Sequence, residues 1–88
     1  MKQELTRTPT ALANVDAGTR YFIQNHSLHT VHFITAASVP TDRNDAAKLS
    51  PDGDTSGGYF RAESGESCYV WINNTLLGRG EVFYDEAP

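Results

Sequence analysis

Apolar and polar positions alternate most clearly in two runs near the start of the chain. Arg20-Tyr21-Phe22-Ile23-Gln24 and Thr30-Val31-His32-Phe33-Ile34-Thr35 are built from aromatic and β-branched residues, which suit a pleated, half-buried surface. Each predicts a strand. Between them, Asn25-His26-Ser27-Leu28-His29 offers side chains that hydrogen-bond the nearby backbone, so the pair predicts an antiparallel hairpin with a longer loop. Met1 to Pro9 is polar, lacks a periodic apolar face and ends at a proline, which predicts an extended arm. Thr10 to Val15 predicts a short first strand, with Asp16-Ala17-Gly18 turning into the hairpin. Beyond Thr35, Pro40 stops the pairing. From Asp42 to Gly58 the chain is mostly polar, with one helical turn expected at Asp45–Leu49. Tyr59–Ala62 predicts a short strand, and Ser67–Ile72 is the most hydrophobic segment, with Trp71 anchoring the core. Arg79–Asp85 predicts the last strand, and Glu86-Ala87-Pro88 is an acidic tail.

The fold expected is all-β: a small antiparallel β-sandwich or barrel of about five to seven short strands with an extended N-terminal arm. Residues 1–9 form the arm, and 10–88 a single β domain with a long loop at 37–58. The expected core is drawn from Tyr21, Ile23, Val31, Phe33, Val70, Trp71, Ile72, Val82 and Tyr84, although both faces of a strand cannot all be interior.

Length sharpens this picture. A chain of 88 residues buries only roughly 60% of the surface its unfolded form exposes. Contact with a partner is the usual remedy for so thin a core, so a homo-oligomer or attachment to a larger assembly is expected. The net charge is −4 and the seven Lys and Arg are scattered, which removes the electrostatic footprint for nucleic acid. No apolar segment approaches the ~20 residues of a membrane-crossing helix, and Met1–Arg7 lacks the apolar centre of a signal peptide. No membrane partner is therefore expected, and the chain should be made and kept in a cytosolic setting until assembly. Cys68 is the only cysteine, which excludes a disulfide within the chain. Its apolar surroundings suggest a small buried side chain rather than a reactive thiol. Asn25-His26-Ser27 and Asn73-Asn74-Thr75 match the glycosylation pattern, but they read as turn chemistry.

Candidate chemistry is sparse. His26, His29 and His32 are spaced H-x2-H-x2-H, but no Cys, Asp or Glu lies among them to complete a tetrahedral shell. Ordinary turn or half-exposed histidines are expected, with a histidine-lined subunit contact as the alternative to a metal site. Asp52 and Asp54 lie in a glycine-rich loop that lacks the register of a calcium loop. Glu63, Glu66, Glu81, Asp85 and Glu86 fall in turns or on an expected polar face, away from the shaped cleft that paired catalytic carboxylates need. No nucleophile motif or phosphate cradle is found. The expectation is therefore no catalytic residue, no cofactor, no metal and no enzyme activity. Tyr21, Tyr59, Tyr69, Trp71 and Tyr84 would fill the core, or alternatively form a stacking platform for sugars.

Tyr21-Phe22-Ile23-Gln24-Asn25, Thr35-Ala36-Ala37-Ser38-Val39-Pro40, Tyr69-Val70-Trp71-Ile72 and Val82-Phe83-Tyr84-Asp85-Glu86-Ala87 together resemble a type of small structural protein of tailed bacteriophages and prophages. The resemblance runs from about Gly18 onward and carries no catalytic residue. It implies a virion component made in the host bacterial cytoplasm, foremost a capsid decoration or cement protein lying on the major capsid or other virion proteins. A small tail or head-tail attachment component is the alternative, and a glycan- or host-receptor-binding β module a further one. The arm and the loop from Pro40 to Gly58 are the expected contact surfaces. Interface residues would be Met1, Lys2, Gln3, Glu4, Leu5, Thr6 and Arg7 in the arm, and Pro40, Asp42, Arg43 and Leu49 in the loop, with His26 and His29 beside them. Deleting Met1–Thr8 would then weaken docking and leave the domain folded.

Overall fold

The computed structural model describes residues 1–41, 46–51, 57–73 and 80–88. Among these are eight strands: β1 (Lys2–Glu4), β2 (Thr10–Ala11), β3 (Arg20–His26), β4 (Val31–Ala36), β5 (Ala47–Leu49), β6 (Gly57–Arg61), β7 (Ser67–Ile72) and β8 (Glu81–Glu86). They form two four-stranded antiparallel sheets in a sandwich-like arrangement. Sheet A has the order β1-β8-β3-β6 and sheet B the order β2-β7-β4-β5.

The expected hairpin is not formed. β3 pairs with β8 and β6 in sheet A, while β4 pairs with β7 and β5 in sheet B. The chain between them crosses from one layer to the other. Tyr21 and Ile23 on β3 and Val31 and Phe33 on β4 all belong to one buried cluster. Strands that bury alternate residues against a common core can serve as opposite walls as well as neighbours, and the alternation does not say which.

Asn25 secures the crossing. It is fully buried, and its Oδ1 accepts from Ser27 N at 2.9 Å. Its Nδ2 donates toward His29 O at 2.7 Å, Ser50 O at 2.8 Å and Leu49 O at 3.2 Å. One amide thus ties β3, the crossing and the end of β5 together. Ser27 Oγ accepts from His29 N at 2.9 Å and completes the turn, the local hydrogen bonding expected of this polar segment.

The N-terminal segment is not a free arm. β1 pairs with β8 in the register Lys2↔Phe83, Gln3↔Val82 and Glu4↔Glu81. Leu5 is 1% exposed and part of the core, and Pro9 is buried. Thr6 O then accepts from Ile72 N at 3.0 Å, which carries the chain from sheet A to sheet B. A three-residue edge strand gains its pairing from backbone groups and needs one apolar anchor, so no periodic face marks it in the sequence. Charged Lys2 and Glu4 also suit an edge, where they discourage further strand addition.

The expected loop at 37–58 is interrupted by β5 and ends at β6. Ala47–Leu49 is a strand rather than the end of a helical turn, because Leu49 sits opposite Val31 and is buried. These additions explain why the described strands outnumber the five to seven expected. β7 occupies Ser67–Ile72 as predicted, and all nine expected core residues are buried. Trp71, however, points away from Val70 and Ile72 and lies outside the inter-sheet cluster. It stacks on His32 on the outer side of sheet B, with ring centroids 5.7 Å apart.

Two phenols hold the link between β2 and β3. Tyr84 Oη donates to Ala13 O at 2.8 Å, and Tyr21 Oη accepts from Asp16 N at 2.8 Å. Asn14 in this link has φ 59, a conformation that asparagine adopts more readily than most residues.

Candidate functional site

The three histidines do not converge. His26 is exposed at the end of β3 on the outer face of sheet A, where its Nε2 lies 3.3 Å from Gln24 Oε1. His32 lies on the outer face of sheet B, on the opposite side of the molecule from His26. His29 is half-buried in the crossing between the layers. Among the described residues no group of three His, Cys, Asp or Glu is placed to share a metal ion.

His32 is a packing residue. Its ring lies between Trp71 and Lys48 in cross-strand register, and its Nε2 is 3.1 Å from Asn73 Nδ2. Burial, together with the nearby Lys48 ammonium, lowers its pKa from the usual 6.5, so the neutral ring is the form that fits. Cys68 is fully buried, and burial pushes its thiol up to about 12. A thiol held protonated in this way is a poor nucleophile.

Three of the described carboxylates have structural roles at separate places. Glu66 Oε1 accepts from Glu63 N at 2.9 Å, and Asp85 Oδ1 from Glu86 N at 2.9 Å. Glu81 lies 3.9 Å from Lys2 Nζ. Asp42, Arg43, Asp52 and Asp54 fall outside the described residues. Three hollows near β6 hold about 300, 240 and 250 Å³. These volumes are at or below the ~300–1,000 Å³ typical of small-molecule sites.

The distinctive surface is the outer face of sheet A. Strand alternation puts Tyr21, Ile23 and Asn25 inside, and so turns Phe22, Gln24 and His26 outward. β8 likewise presents Glu81, Phe83 and Asp85, while β6 presents Gly57, Tyr59 and Arg61. Phe22 and Phe83 are half-buried, with ring centroids 5.8 Å apart. Phe83 stacks on His26 at 6.1 Å. Tyr59 faces Phe22 across the β3–β6 pair and is 59% exposed. The Arg20 guanidinium lies over its ring, 3.9 Å from the centroid, a cation–π contact. An aromatic band thus crosses this sheet from Tyr59 to His26.

Most of the expected interface residues lie elsewhere. Lys2 and Glu4 flank the band on β1, and His26 ends it. Gln3 occupies the inward register position on β1 and donates to Glu4 O at 3.0 Å. Met1 N bonds Tyr84 O at 2.8 Å. Thr6 and Arg7 are exposed, and Pro40 and His29 are half-buried. Leu5 and Leu49 are core residues and present no surface to a partner. Of the proposed sugar-stacking set, Tyr21, Trp71 and Tyr84 are buried, Tyr69 is half-buried on sheet B, and only Tyr59 is exposed.

Phe22 and Phe83 were missed as surface residues because each follows the same strand alternation as the core. The available signal was parity. Once Tyr21, Ile23, Val82 and Tyr84 are assigned inward, Phe22 and Phe83 must face outward. Comparison of the chain with protein-family models, curated proteins and solved structures found no match in any of the three.

Proposed function

We propose that this chain is a non-enzymatic virion structural protein of a tailed phage, a capsid decoration protein that stabilises the shell by contact. The aromatic band on the outer face of sheet A is the observation that supports assembly with other protein, a further copy of the chain included. Large aromatic side chains there are left partly in water, although they would contribute more if covered. The chain's thiol and one of its three imidazoles are occupied in packing, and among the described carboxylates Glu66 and Asp85 serve turns and Glu81 lies beside Lys2. The phage setting rests on the resemblance of the Tyr21–Asn25, Thr35–Pro40, Tyr69–Ile72 and Val82–Ala87 segments.

On this reading the major capsid or another virion protein is the larger partner. Many copies on a symmetric lattice would each contribute a modest interface whose effects accumulate. The sheets remain separate as in a sandwich, and the function needs no closed barrel. The test is the composition of purified particles, measured by quantitative mass spectrometry. A decoration protein would be present in a fixed ratio to the major shell subunit, whereas its absence from particles would overturn the proposal.

A further inference from the structure

The outer face of sheet A carries opposite charge at opposite corners. Cross-strand register places Arg20 beside Arg61 at the end of β3 and β6, and Glu4 beside Glu81 at the far end of β1 and β8. Between these corners, Phe22 and Phe83 form the centre. Neither arginine has a carboxylate of a described residue within 4.0 Å. We propose that the occupant of this face is a second copy of the same chain, seated across a two-fold axis that lies in the plane of the interface.

The axis that brings the arginine corner over the partner's glutamate corner has several consequences. It sets Phe22 against the partner's Phe83 and the reverse, so the aromatic centre covers itself. Arg61 meets the partner's Glu4, and Tyr59 Oη comes over the partner's Glu81. His26 comes over the partner's Gly57, where the missing side chain leaves room; a Cβ built there would approach only Ile23 O, at 3.8 Å. The two Asp85 carboxylates approach the axis flanked by Lys2 of one copy and Arg20 of the other. Strands of the two copies then cross nearly at right angles, one of the two ways in which sheets pack face to face. A two-fold interface requires self-complementarity of this kind: Arg61–Glu4 and Phe22–Phe83 meet it directly, while the like-charged approaches, Asp85 to Asp85 and Arg20 to the partner's Lys2, lie side by side and offset one another. Axes parallel or perpendicular to the strands would instead place Asp85 on an aromatic ring.

This inference deepens the contact reading and names who covers the face; docking on a shell would use other surfaces of the dimer. The test is sedimentation velocity of the full chain across micromolar concentrations, with circular dichroism to confirm that each variant is folded. The wild-type chain is expected to form a dimer. Arg61→Glu should weaken it about a hundredfold, since two equivalent contacts change at about tenfold each. The double variant Arg61→Glu with Glu4→Arg should restore dimerisation, because the pair is reversed rather than lost. Phe22→Ser should leave a folded monomer. A wild-type monomer would overturn the inference, as would a dimer indifferent to Arg61→Glu or a double variant without rescue. A monomer that still saturates phage shells would remove this inference and leave the proposed function standing.

Discussion

Asn25 is the residue whose chemistry most affects the fold. It is buried beside three backbone carbonyl acceptors and one backbone donor, and the bonds to Leu49 O and Ser27 N are themselves buried, so those two groups are left unpaired once the side chain is lost. Asn25→Ala should therefore cost about 2–4 kcal/mol, since buried polar groups left unpaired are more costly than a typical hydrogen bond is favourable. Equilibrium urea unfolding would measure this. Asn25→Asp aims a carboxylate at carbonyl oxygens, which raises the folded-state pKa of the new acid. The stability of that variant should fall as pH rises above about 4, the unfolded value for Asp.

His32 carries the opposite pH dependence. Its pKa is lowered by burial and by Lys48, so the folded state resists a proton that the unfolded chain accepts. The contribution of the neutral ring is complete above the ordinary value of 6.5 and is lost as pH falls from there toward the lowered folded value. His32→Gln should flatten this part of the stability profile in thermal melts taken through the same range.

At the scale of the strand, β1 and β6 show how single positions decide pairing. Leu5 anchors β1 to the core, and Leu5→Ala should cost about 2–4 kcal/mol. Removal of residues 1–8 should likewise lower the melting temperature, because it uncovers the β8 edge as well as the Leu5 site. This reverses the expectation that the domain would be indifferent to their loss.

In β6, a Cβ on Gly58 would meet Phe33 Cζ at 3.2 Å and Leu49 Cδ2 at 3.3 Å. Gly58 is the close approach that lets the two sheets meet. Gly58→Ala should destabilise by about 1–3 kcal/mol through overpacking, while Gly57→Ala, whose Cβ would meet only Ile23 O in ordinary contact at 3.8 Å, should change stability by less than about 1 kcal/mol. Denaturant midpoints of the two variants provide the comparison. The sequence could mark these glycines as turn residues, but their roles depend on which sheet lies behind them.

For the whole molecule, the all-β class and the core were legible because both follow from strand alternation. Every inward-facing aromatic and β-branched residue proposed for the interior is buried. The connection between β3 and β4 was not legible. A polar five-residue break is compatible with a hairpin or a crossing between layers, and the choice is made by Leu49 and Ser50, whose carbonyls complete the Asn25 site from far along the chain. β1 and β5 were hidden for a related reason: each is three residues long and becomes a strand only beside its neighbour. The aromatic face of sheet A stood in the sequence as Phe22 and Phe83, but its unity depends on β3, β8 and β6 lying side by side. On the proposed reading, this assembled face, with its aromatic centre and opposed charges, is the one that other protein covers.

Co-sedimentation of the purified protein with assembled phage capsid shells tests the proposed shell-stabilising role most directly. Binding that saturates at a fixed number of copies per shell subunit is the predicted result. A chain that stays in the supernatant at every concentration, with shells otherwise competent to bind protein, would contradict it.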